Sequence, residues 1–485
     1  AIYRCKAVVL CTGTYLKARC IYGDVSTHTG PNGLQAANYL TDCLKELGIK
    51  MYRFKTGTPA RIDKRSIDFS KMEEQFGDER VVPFSFTTDP EDVQIEQASC
   101  WLTYTNEKTH EIIRENIMRA PKYAGKIHGI GARYCPSIED KVVRFADKDR
   151  HQLFVEPEGL DTTEMYVQGM STSMPIDVQY AFLRTIPGFE DVKMMRPAYA
   201  IEYDLLDPLQ LYPTLEVIKL PGLYSAGQSN GTSGYEEAAA QGLVAGINAA
   251  LKIQGKDPFI LARHEAYIGS LVDDLVTKGA DEPYRMMTSR SEYRLILRQD
   301  NADLRLTEKG HSIGLVGEER YARFLERKKK YEEAMDYIRT QRFTPKEEIN
   351  RALESMGTAP LTTGTGADQI LKRPEMTYRK MMEMLGCPAF DEEAVEEMEI
   401  TVKYEGYIAR QEAAVRKAAR MENEKLPLDM DYLSLDGIST EAKQKMDKIR
   451  PLSLGQAARI PGVSPADISV LMVYVKQRKG KKGAE

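Results

Sequence analysis

The stretch Gly222-Leu-Tyr-Ser-Ala-Gly-Gln-Ser-Asn-Gly-Thr-Ser-Gly-Tyr-Glu-Glu-Ala-Ala-Ala-Gln-Gly242 decides the fold of this chain. Residues 223–226 suit a buried strand, and a helix of small residues follows the turn. Gly227, Gly231 and Gly234 let a ligand approach the backbone, because glycine has no Cβ. The free N–H groups at the start of the helix favour phosphate or another anionic group. The stretch therefore predicts a nucleotide cofactor in a doubly wound α/β fold. An ordinary strand, turn and helix is the alternative.

The size and composition of the chain limit the classes of protein that it can belong to. Its 485 residues predict two to four domains. The net charge of −5 and the mean hydropathy of −0.44 indicate a globular protein in water. No apolar run approaches the roughly 20 residues of a membrane span. The seven cysteines are scattered without a Cys-x-x-Cys pair, which indicates a reducing compartment, the cytoplasm, and argues against a zinc or disulfide framework. The six histidines lack ligand spacing, so we expect no metal site.

The order of patterns along the chain predicts three domains. Residues 1–58 and 215–275 form an α/β domain, residues 59–214 an inserted α+β domain, and residues 276–485 an all-α domain. The sequence predicts helices over 34–47, where Gly48 ends the first, and over 318–342 and 395–425. The first five residues resemble the middle of a strand, and residues 6–13 a second one. We therefore expect that the chain is truncated at its N-terminus.

Cys135 is the candidate catalytic residue. Ser137 and Asp140 form a capping-box pattern, which places Cys135 just before a helix N-terminus. Arg133 and Lys141 are nearby in the sequence, and both features favour the thiolate. A nucleophile that adds to C6 of a pyrimidine activates C5, so this thiolate suits covalent catalysis on such a ring. A buried structural cysteine is the alternative.

Basic residues in the second half of the chain are candidates for RNA contact. Arg290, Arg294 and Arg298 recur every four residues among tyrosines, which predicts one basic helical face for phosphates and stacked bases. Lys403 and Arg410 share a second predicted face. For both faces a solvated amphipathic surface is the alternative. The full set of RNA-binding candidates is Arg285, Arg290, Arg294, Arg298, Lys403 and Arg410.

Near the end of the chain, the sequence predicts a helix hairpin. Ser464 and Asp467 form a second capping box around Pro465, which suits the first position of a helix. The basic run 476–482 that follows either contacts phosphates or complements the helix dipole.

With these motifs in order, the chain closely resembles the MnmG (GidA) family, the FAD-dependent subunit of the tRNA wobble-uridine 5-carboxymethylaminomethyl modification enzyme. The resemblance spans essentially the whole chain. The segments that carry it are 55–59, 105–110, 133–142, 156–159, 200–204, 230–242, 283–286, 300–306 and 403–411.

The resemblance implies an α/β fold with a glutathione-reductase-type, Rossmann-like FAD-binding domain, an inserted α+β nucleotide-binding domain and an all-α C-terminal domain. It implies FAD, NADH and methylenetetrahydrofolate, the substrate tRNA, and the partner GTPase MnmE, with a homodimer inside an α2β2 heterotetramer. The alternatives are a folate- and FAD-dependent tRNA uridine-5-methyltransferase and a non-catalytic fragment that binds tRNA and partner.

The resemblance also assigns residues. Gln228 is expected beside the flavin, residues 131–145 match the nicotinamide-associated segment, and Cys135 matches one of two functional cysteines. The family's opening Gly-x-Gly-x-x-Gly turn and its other cysteine have no counterpart here, so we expect weak FAD binding. The cofactor-binding candidates are Gly13, Gly131, Arg133, Tyr134, Ser137, Glu139, Asp140, Lys141, Gly227, Gln228, Asn230, Gly231, Thr232 and Gly234.

Overall fold

A computed structural model describes residues 2–79, 81–93, 95–134, 136–427 and 429–482, with side chains up to residue 477. The chain divides into two compact units. The first comprises residues 1–82, 90–260 and 271–287, and the second comprises residues 83–89, 261–270 and 288–485. Each unit is described separately below.

The first unit contains the sheets that position the candidate site. Its strands are β1 (Val8–Leu10), β2 (Arg19–Tyr22), β3 (Val25–Thr27), β4 (Met51–Thr58), β5 (Arg61–Asp63), β6 (Glu73–Gln75), β7 (Cys100–Tyr104), β8 (Ile130–Gly131), β9 (Gln152–Pro157), β10 (Glu164–Gln168), β11 (Met194–Arg196), β12 (Tyr199–Leu206) and β13 (Leu223–Ser225). Its helices are α1 (Leu40–Glu46), α2 (Glu107–Glu115), α3 (Ile138–Arg144), α4 (Ile176–Leu183) and α5 (Tyr235–Ile253). Helix α6 (Tyr267–Lys278) follows them in the chain.

The described strands of the first unit form three sheets. The six-stranded sheet has the order β11-β5-β10-β9-β7-β6, and the five-stranded sheet has the order β3-β2-β12-β4-β8. Strands β1 and β13 form a parallel pair in which Leu10 lies opposite Ser225. Parallel neighbours end at the same sheet edge, so the turns after β1 and β13 lie side by side.

The apolar core of the first unit explains the arrangement of its larger sheet. Strands β9 and β10 present Leu153, Val155, Met165 and Val167 to helices α2, α3 and α4, and all four side chains are fully buried. The alternation of buried and exposed residues in β9 and β10 is typical of a sheet with one covered face.

The second unit is helical. Its helices are α7 (Ala302–Ser312), α8 (Glu318–Thr340), α9 (Glu347–Ser355), α10 (Ala367–Leu371), α11 (Tyr378–Leu385), α12 (Glu392–Lys403), α13 (Glu405–Asn423), α14 (Thr440–Ile449), α15 (Leu454–Arg459) and α16 (Pro465–Lys482), with a short hairpin of β14 (Arg342–Phe343) and β15 (Thr365–Gly366). One apolar core joins helices α8 to α12, and a separate core joins α14 to α16.

Several predicted helices and caps are confirmed. Helix α8 ends two residues before the predicted end at 342. Ser137 caps α3 by accepting a hydrogen bond from the Asp140 N–H. Ser464 and Asp467 form the complete capping box, because each side chain accepts a hydrogen bond from the other residue's backbone N–H.

Other predicted elements are wrong. The helix predicted over 34–47 covers only 40–46, because the segment before it pairs with the chain after β1: the Ala37 N–H donates to the Tyr15 carbonyl at 2.9 Å. The helix predicted over 395–425 is interrupted at Tyr404. At the start of the chain, residues 2–5 form no strand, and the second predicted strand is limited to 8–10.

Candidate active site

The turn after β13 is held rigidly by buried amides. Gly227 and Gly231 adopt φ values of +87° and +89°, which side chains rarely tolerate. The Asn230 Nδ2 atom donates to the Ser225 carbonyl at 2.7 Å and to Gln241 Oε1 at 2.9 Å. Gln241 in turn donates from Nε2 to Thr232 Oγ1 at 3.0 Å. The turn is therefore fixed by side chains that point inward, and the Gly231 carbonyl and the Ser233 N–H are also paired with the backbone of Tyr284.

A buried carboxylate lies at the start of helix α5. Glu237 is 3% exposed, and its Oε1 atom accepts a hydrogen bond from the Met286 N–H at 2.7 Å. The Arg285 guanidinium lies 3.6 Å from Glu237 Oε2. A Cβ on Gly234 would lie 1.4 Å from that oxygen, so any side chain there would displace the Glu237 carboxylate. Arg285, predicted to contact RNA, thus lies against this carboxylate.

Two buried polar atoms at this sheet edge, Thr12 Oγ1 and Asn230 Oδ1, have no hydrogen-bond partner among the described residues, whereas Glu237 Oε2 has the ion pair with Arg285. Buried polar atoms are nearly always paired in proteins, so unpaired ones indicate a place for a ligand. Thr12 follows β1 and Asn230 follows β13, which are parallel neighbours. Gly13 has a φ of +53°, and a Cβ there would lie 3.9 Å from its nearest neighbour, so space remains in front of it. The half-buried Gln228 lies in the same turn. This edge fits a nucleotide cofactor.

A second set of functional candidates follows strand β8, which pairs with β4 at Phe54 and Lys55. Just before β8, a Cβ on Gly129 would lie 2.7 Å from the Phe54 carbonyl carbon and oxygen, so only glycine allows this contact. Glu202 accepts hydrogen bonds from the N–H groups of His128 and Gly129, both at 2.6 Å. These contacts fix the backbone that enters the cysteine-bearing segment.

Glu202 remains a carboxylate although it is 1% exposed. Burial would raise its pKa, but the two backbone hydrogen bonds, a hydrogen bond from Arg19 and the charge of Arg53 together lower it. Arg19 Nη2 donates to Glu202 Oε2 at 2.7 Å and to the Lys126 carbonyl at 2.7 Å. The Glu202 carboxylate therefore binds Arg19 of the neighbouring strand β2 and also, through the N–H groups of His128 and Gly129, the segment before β8.

The predicted cofactor residues of helix α3 are bonded within the protein. Asp140 accepts hydrogen bonds from Lys122 Nζ at 2.6 Å and from the Tyr123 hydroxyl at 3.0 Å. Burial alone would raise the pKa of Asp140, but the hydrogen bond and charge of Lys122 hold it below its usual range. Lys141 donates to the Gly169 carbonyl at 3.1 Å.

Glu139 completes this set from the buried side of helix α3. Its Oε1 atom accepts hydrogen bonds from the backbone and hydroxyl of Ser173, both at 3.3 Å, while its Oε2 atom is buried without a partner among the described residues. Together with Ser137 at the helix cap, these residues anchor the segment. Arg133, Tyr134 and Gly131 are exposed ahead of it. Cys135 lies outside the described residues.

Sequence reasoning missed Lys55, Glu202 and Glu237. All three lie in segments that carry the family resemblance, 55–59, 200–204 and 230–242, yet none was assigned a role. For Glu202, a charged residue in a largely apolar strand was the available signal, because burying such a charge is costly without a partner. The partners of Glu202 and Glu237 come from distant parts of the chain and could not be seen in the sequence.

The predicted basic face over Arg290, Arg294 and Arg298 does not exist as a helix. A 3₁₀ turn covers 288–290, and irregular turns follow it. The Arg290 carbonyl accepts a hydrogen bond from Arg263, and Arg294 is exposed. Arg298 is largely buried and bonds to Asp300, to Glu397 and to the Leu295 carbonyl.

The second predicted basic face is also divided. Lys403 closes helix α12, where its Nζ atom donates to the Met376 carbonyl and to Glu399 Oε1, both at 2.7 Å. Arg410 lies on α13, exposed, with its guanidinium 4.7 Å from the centre of the Tyr407 ring. Arg294 and Arg410 are therefore the exposed RNA candidates, while Lys403 and Arg298 have structural contacts.

Within the described ranges, His, Cys, Asp and Glu side chains form no cluster of three or more that could hold a metal ion. No helix in that part of the chain is long and apolar enough to cross a membrane.

Comparison with known proteins identifies the family. The family described as glucose inhibited division protein A matches residues 1–257. Two families described as C-terminal helical regions of the tRNA modifying enzyme MnmG/GidA match residues 318–412 and 414–485.

Individual relatives agree with this assignment. The chain is 59% identical over 482 residues to the tRNA uridine 5-carboxymethylaminomethyl modification enzyme MnmG of Lachnoclostridium phytofermentans, covering 99% of this chain and 77% of the relative. The MnmG of Caldicellulosiruptor saccharolyticus is 57% identical, with the same coverage. A crystal structure of GidA from Aquifex aeolicus superimposes with a TM-score of 0.87 at 45% identity, covering 97% of this chain and 75% of that one.

These matches confirm the predicted fold class, in which an α/β FAD-binding-type fold precedes a helical C-terminal domain. The chain belongs to the MnmG/GidA family of tRNA-modifying enzymes.

Proposed function

We propose that this protein, together with the GTPase MnmE, adds a carboxymethylaminomethyl or aminomethyl group to C5 of the wobble uridine of tRNA. The proposal rests on the 57–59% identity, over 99% of the chain, with relatives named tRNA uridine 5-carboxymethylaminomethyl modification enzyme MnmG. Methylenetetrahydrofolate is the proposed one-carbon donor, and NADH the proposed reductant.

The edge formed by the turns after β1 and β13 is the proposed FAD site. Gly13, Gly227, Gln228, Gly231, Thr232 and Gly234 would hold the cofactor through their backbone, with the unpaired Asn230 Oδ1 atom as an additional acceptor. Bound flavin would supply electron transfer between the folate, NADH and the product. The protein itself contributes a rigid turn, whose glycines permit the cofactor to approach the backbone closely.

The segment 131–145 is the proposed nicotinamide and substrate region. Cys135 is the proposed nucleophile or proton-transfer group toward the uracil. Glu202, Asp140 and Lys141 would act through the backbone, because they anchor the segment on both sides of the cysteine. Fixed geometry of this kind favours reaction by holding the reacting groups together.

The helical region from 276 to 485 is the proposed surface for tRNA and MnmE, with Arg294 and Arg410 as contacts. Residues 1–58 with 215–275, and residues 59–214, remain the proposed FAD-binding and inserted domains. We further propose a homodimer within an α2β2 heterotetramer in the cytoplasm.

Replacement of Cys135 by serine tests the function. With tRNA, folate, NADH, FAD and MnmE present, Cys135→Ser should abolish the modified nucleoside, as measured by mass spectrometry, and leave the flavin spectrum unchanged. Cys43→Ser, at an exposed position of helix α1, is the matched control and should remain active. A product that gains only a methyl group would instead identify a uridine methyltransferase.

A further inference from the structure

The first unit contains an open cavity of about 470 Å³ that is lined by none of the residues proposed to hold FAD. Three of its lining side chains are cations, Lys17, Arg19 and Arg53, and two are carboxylates, Asp42 and Glu202. The formal charge of the lining is therefore positive, which favours an anionic ligand. Ligand pockets commonly enclose about 300–1,000 Å³, so the cavity is large enough for a nucleotide.

The cavity lies on the face of the five-stranded sheet opposite the cofactor turn. Phe54 and Leu205 pack toward that turn, since a Cβ on Gly231 would lie 3.5 Å and 3.2 Å from their side chains. Neighbouring residues of a strand point to opposite faces, so Arg53 and Glu202 point away from the turn. A ligand of the cavity therefore binds apart from the glycine turn.

Buried carboxylates hold the two arginines of the cavity in place. Glu202 accepts hydrogen bonds from Arg19 Nε at 3.1 Å and from Arg19 Nη2 at 2.7 Å. Arg53 Nη1 donates to Asp204 Oδ1 at 2.6 Å. Within the described ranges, Arg19 Nη1 makes no hydrogen bond, so this donor is available to a ligand. A guanidinium that is fixed on one edge and free at the other suits a phosphate oxygen.

Lys17 lines the cavity in a backbone conformation that suits glycine better than lysine. Its φ is +46°, in the left-handed region that side chains disfavour. The Lys17 N–H donates to the Ala37 carbonyl at 3.1 Å, and the Lys17 carbonyl accepts a hydrogen bond from Arg53 Nη1 at 3.2 Å. Strained residues that their surroundings hold in this way cluster at binding sites.

The ammonium group of Lys17 can be exchanged between partners. It makes an ion pair with Asp42 at 2.6 Å, and the two side chains are 40% and 53% exposed. Exposed ion pairs contribute little free energy, so a phosphate group can replace this carboxylate at small cost.

Tyr39 adds an aromatic ring to the lining of the cavity. It precedes helix α1 and is 88% exposed. A single exposed ring is common on protein surfaces. Next to clustered cations, however, it provides the second element of nucleotide recognition, because bases stack on exposed aromatic rings while cations bind the phosphates.

We propose that this cavity binds a nucleotide of the substrate RNA, with the phosphate against Lys17 and Arg19 and the base stacked on Tyr39. The inference rests on the proposed function, which supplies the RNA, and it adds an RNA contact on the first unit to those proposed on the helical region. Because the cavity is open to the surface, it can accept a nucleotide that remains joined to the chain on both sides.

The salt dependence of tRNA binding separates the phosphate contact from the stacking contact. Lys17→Met should lower the slope of log K against log salt concentration by about 0.7–0.9, because one phosphate contact is lost. Tyr39→Ala should weaken binding about 5- to 150-fold and leave the slope unchanged, because stacking releases no counterion. Tyr39→Trp keeps an aromatic ring and should bind tRNA as the wild type does.

Two exposed residues outside the cavity serve as matched controls. Lys45→Met on helix α1 and Tyr3→Ala, which removes a ring that is 86% exposed, should change neither the slope nor the affinity. Lys17→Gly separates an RNA contact from a structural role. It should lower the slope as much as Lys17→Met, while the melting temperature stays the same or rises, because glycine tolerates the left-handed backbone. A lowered melting temperature with an unchanged slope would make Lys17 a structural residue and overturn the proposal.

A free mononucleotide, adenosine monophosphate, is the second probe. If the Lys17 and Tyr39 variants weaken its binding but bind tRNA as the wild type does, the cavity holds a free nucleotide and the proposal is wrong. Wild-type affinity and slope for tRNA in both variants would also overturn it. Modified nucleoside formed by the wild-type protein is measured in parallel. Normal modification with unaffected variants contradicts this inference alone, whereas a wild-type protein that binds no tRNA contradicts the proposed function as well.

Discussion

At the scale of single residues, Asp140 connects helix α3 to the segment before β8. Its folded-state pKa is depressed, so its contribution to stability is present above the usual aspartate pKa of about 3.9 and is lost as the pH falls through the folded value. We expect Asp140→Asn to destabilise the protein by about 1.5–3 kcal/mol at pH 7, through loss of charge-assisted hydrogen bonds. Urea unfolding at pH 7 and below pH 4 measures this, and the difference from wild type should shrink at the lower pH.

Asp24→Asn is the matched control, since Asp24 makes an ion pair with Lys126 while its side chain is 93% exposed. Exposed pairs contribute little, and this variant should unfold at the same urea concentration as the wild type. Equal effects of the two substitutions at both pH values would contradict the anchoring role of Asp140.

Substitutions of Arg298 and Arg294 should differ in their effects on stability and on tRNA binding, although the two residues lie only four positions apart. Arg298→Met removes the hydrogen bonds that the guanidinium donates to Asp300, to Glu397 and to the Leu295 carbonyl, which should cost about 1.5–3 kcal/mol of stability in urea unfolding. Arg294→Met should leave stability unchanged and lower the slope of log K for tRNA against log salt concentration by about 0.7–0.9. An unchanged slope would show that Arg294 is a solvated surface residue without a phosphate contact. Wild-type stability of Arg298→Met would refute the structural role of Arg298.

The candidate site could be predicted from the sequence only where its signal is local. The glycine turn at 227–234 and the Ser137 cap depend on residues close in sequence, and both could be recognised there. Glu202 and Glu237 acquire their significance from contacts with residues far along the chain, His128 and Met286. Sequence periodicity carries no information about such partners.

At the scale of elements, the attachment of β8 to β4 requires glycine at position 129 but not at position 131. A Cβ on Gly129 would lie 2.7 Å from the backbone of Phe54, which cannot move aside without distorting β4. A Cβ on Gly131 would make only an ordinary contact of 3.6 Å with Lys55. We expect Gly129→Ala to destabilise the protein by about 1–3 kcal/mol and Gly131→Ala to change it by less than about 0.5 kcal/mol.

Urea unfolding of the two alanine variants measures this difference. Hydrogen exchange of residues 126–131 should be faster in Gly129→Ala only. Similar stabilities for the two variants would show that the segment before β8 is not held against β4 as described.

The elements themselves show where local pattern suffices. The sequence predicts helix α16 because a capping box and a continuous helical pattern agree within one segment, and it predicts helix α8 from a continuous helical pattern alone. The helix expected to begin at 34 starts at 40, because residues 34–39 bond to the chain after β1. The arginines at 290–298 have helical spacing, yet their segment is irregular and Arg298 bonds to Glu397 of α12. In both cases long-range pairing outweighs local propensity.

At the scale of the whole molecule, ligand linkage should distinguish the two compact units. All residues proposed to hold FAD lie in the first unit, whereas helices α14 to α16 have a core of their own. A ligand stabilises only the states that keep its site folded, by about 2.7 kcal/mol when its concentration is a hundred times Kd. FAD should therefore slow hydrogen exchange at residues 10–13 and 227–234 and leave residues 440–475 unchanged.

Gly231→Ala is the informative variant, because its Cβ would lie 2.8 Å from Ala280 Cβ at a φ of +89°. It should abolish the protection. Slowed exchange confined to 440–475, or equal protection in Gly231→Ala, would place the flavin site elsewhere in the chain.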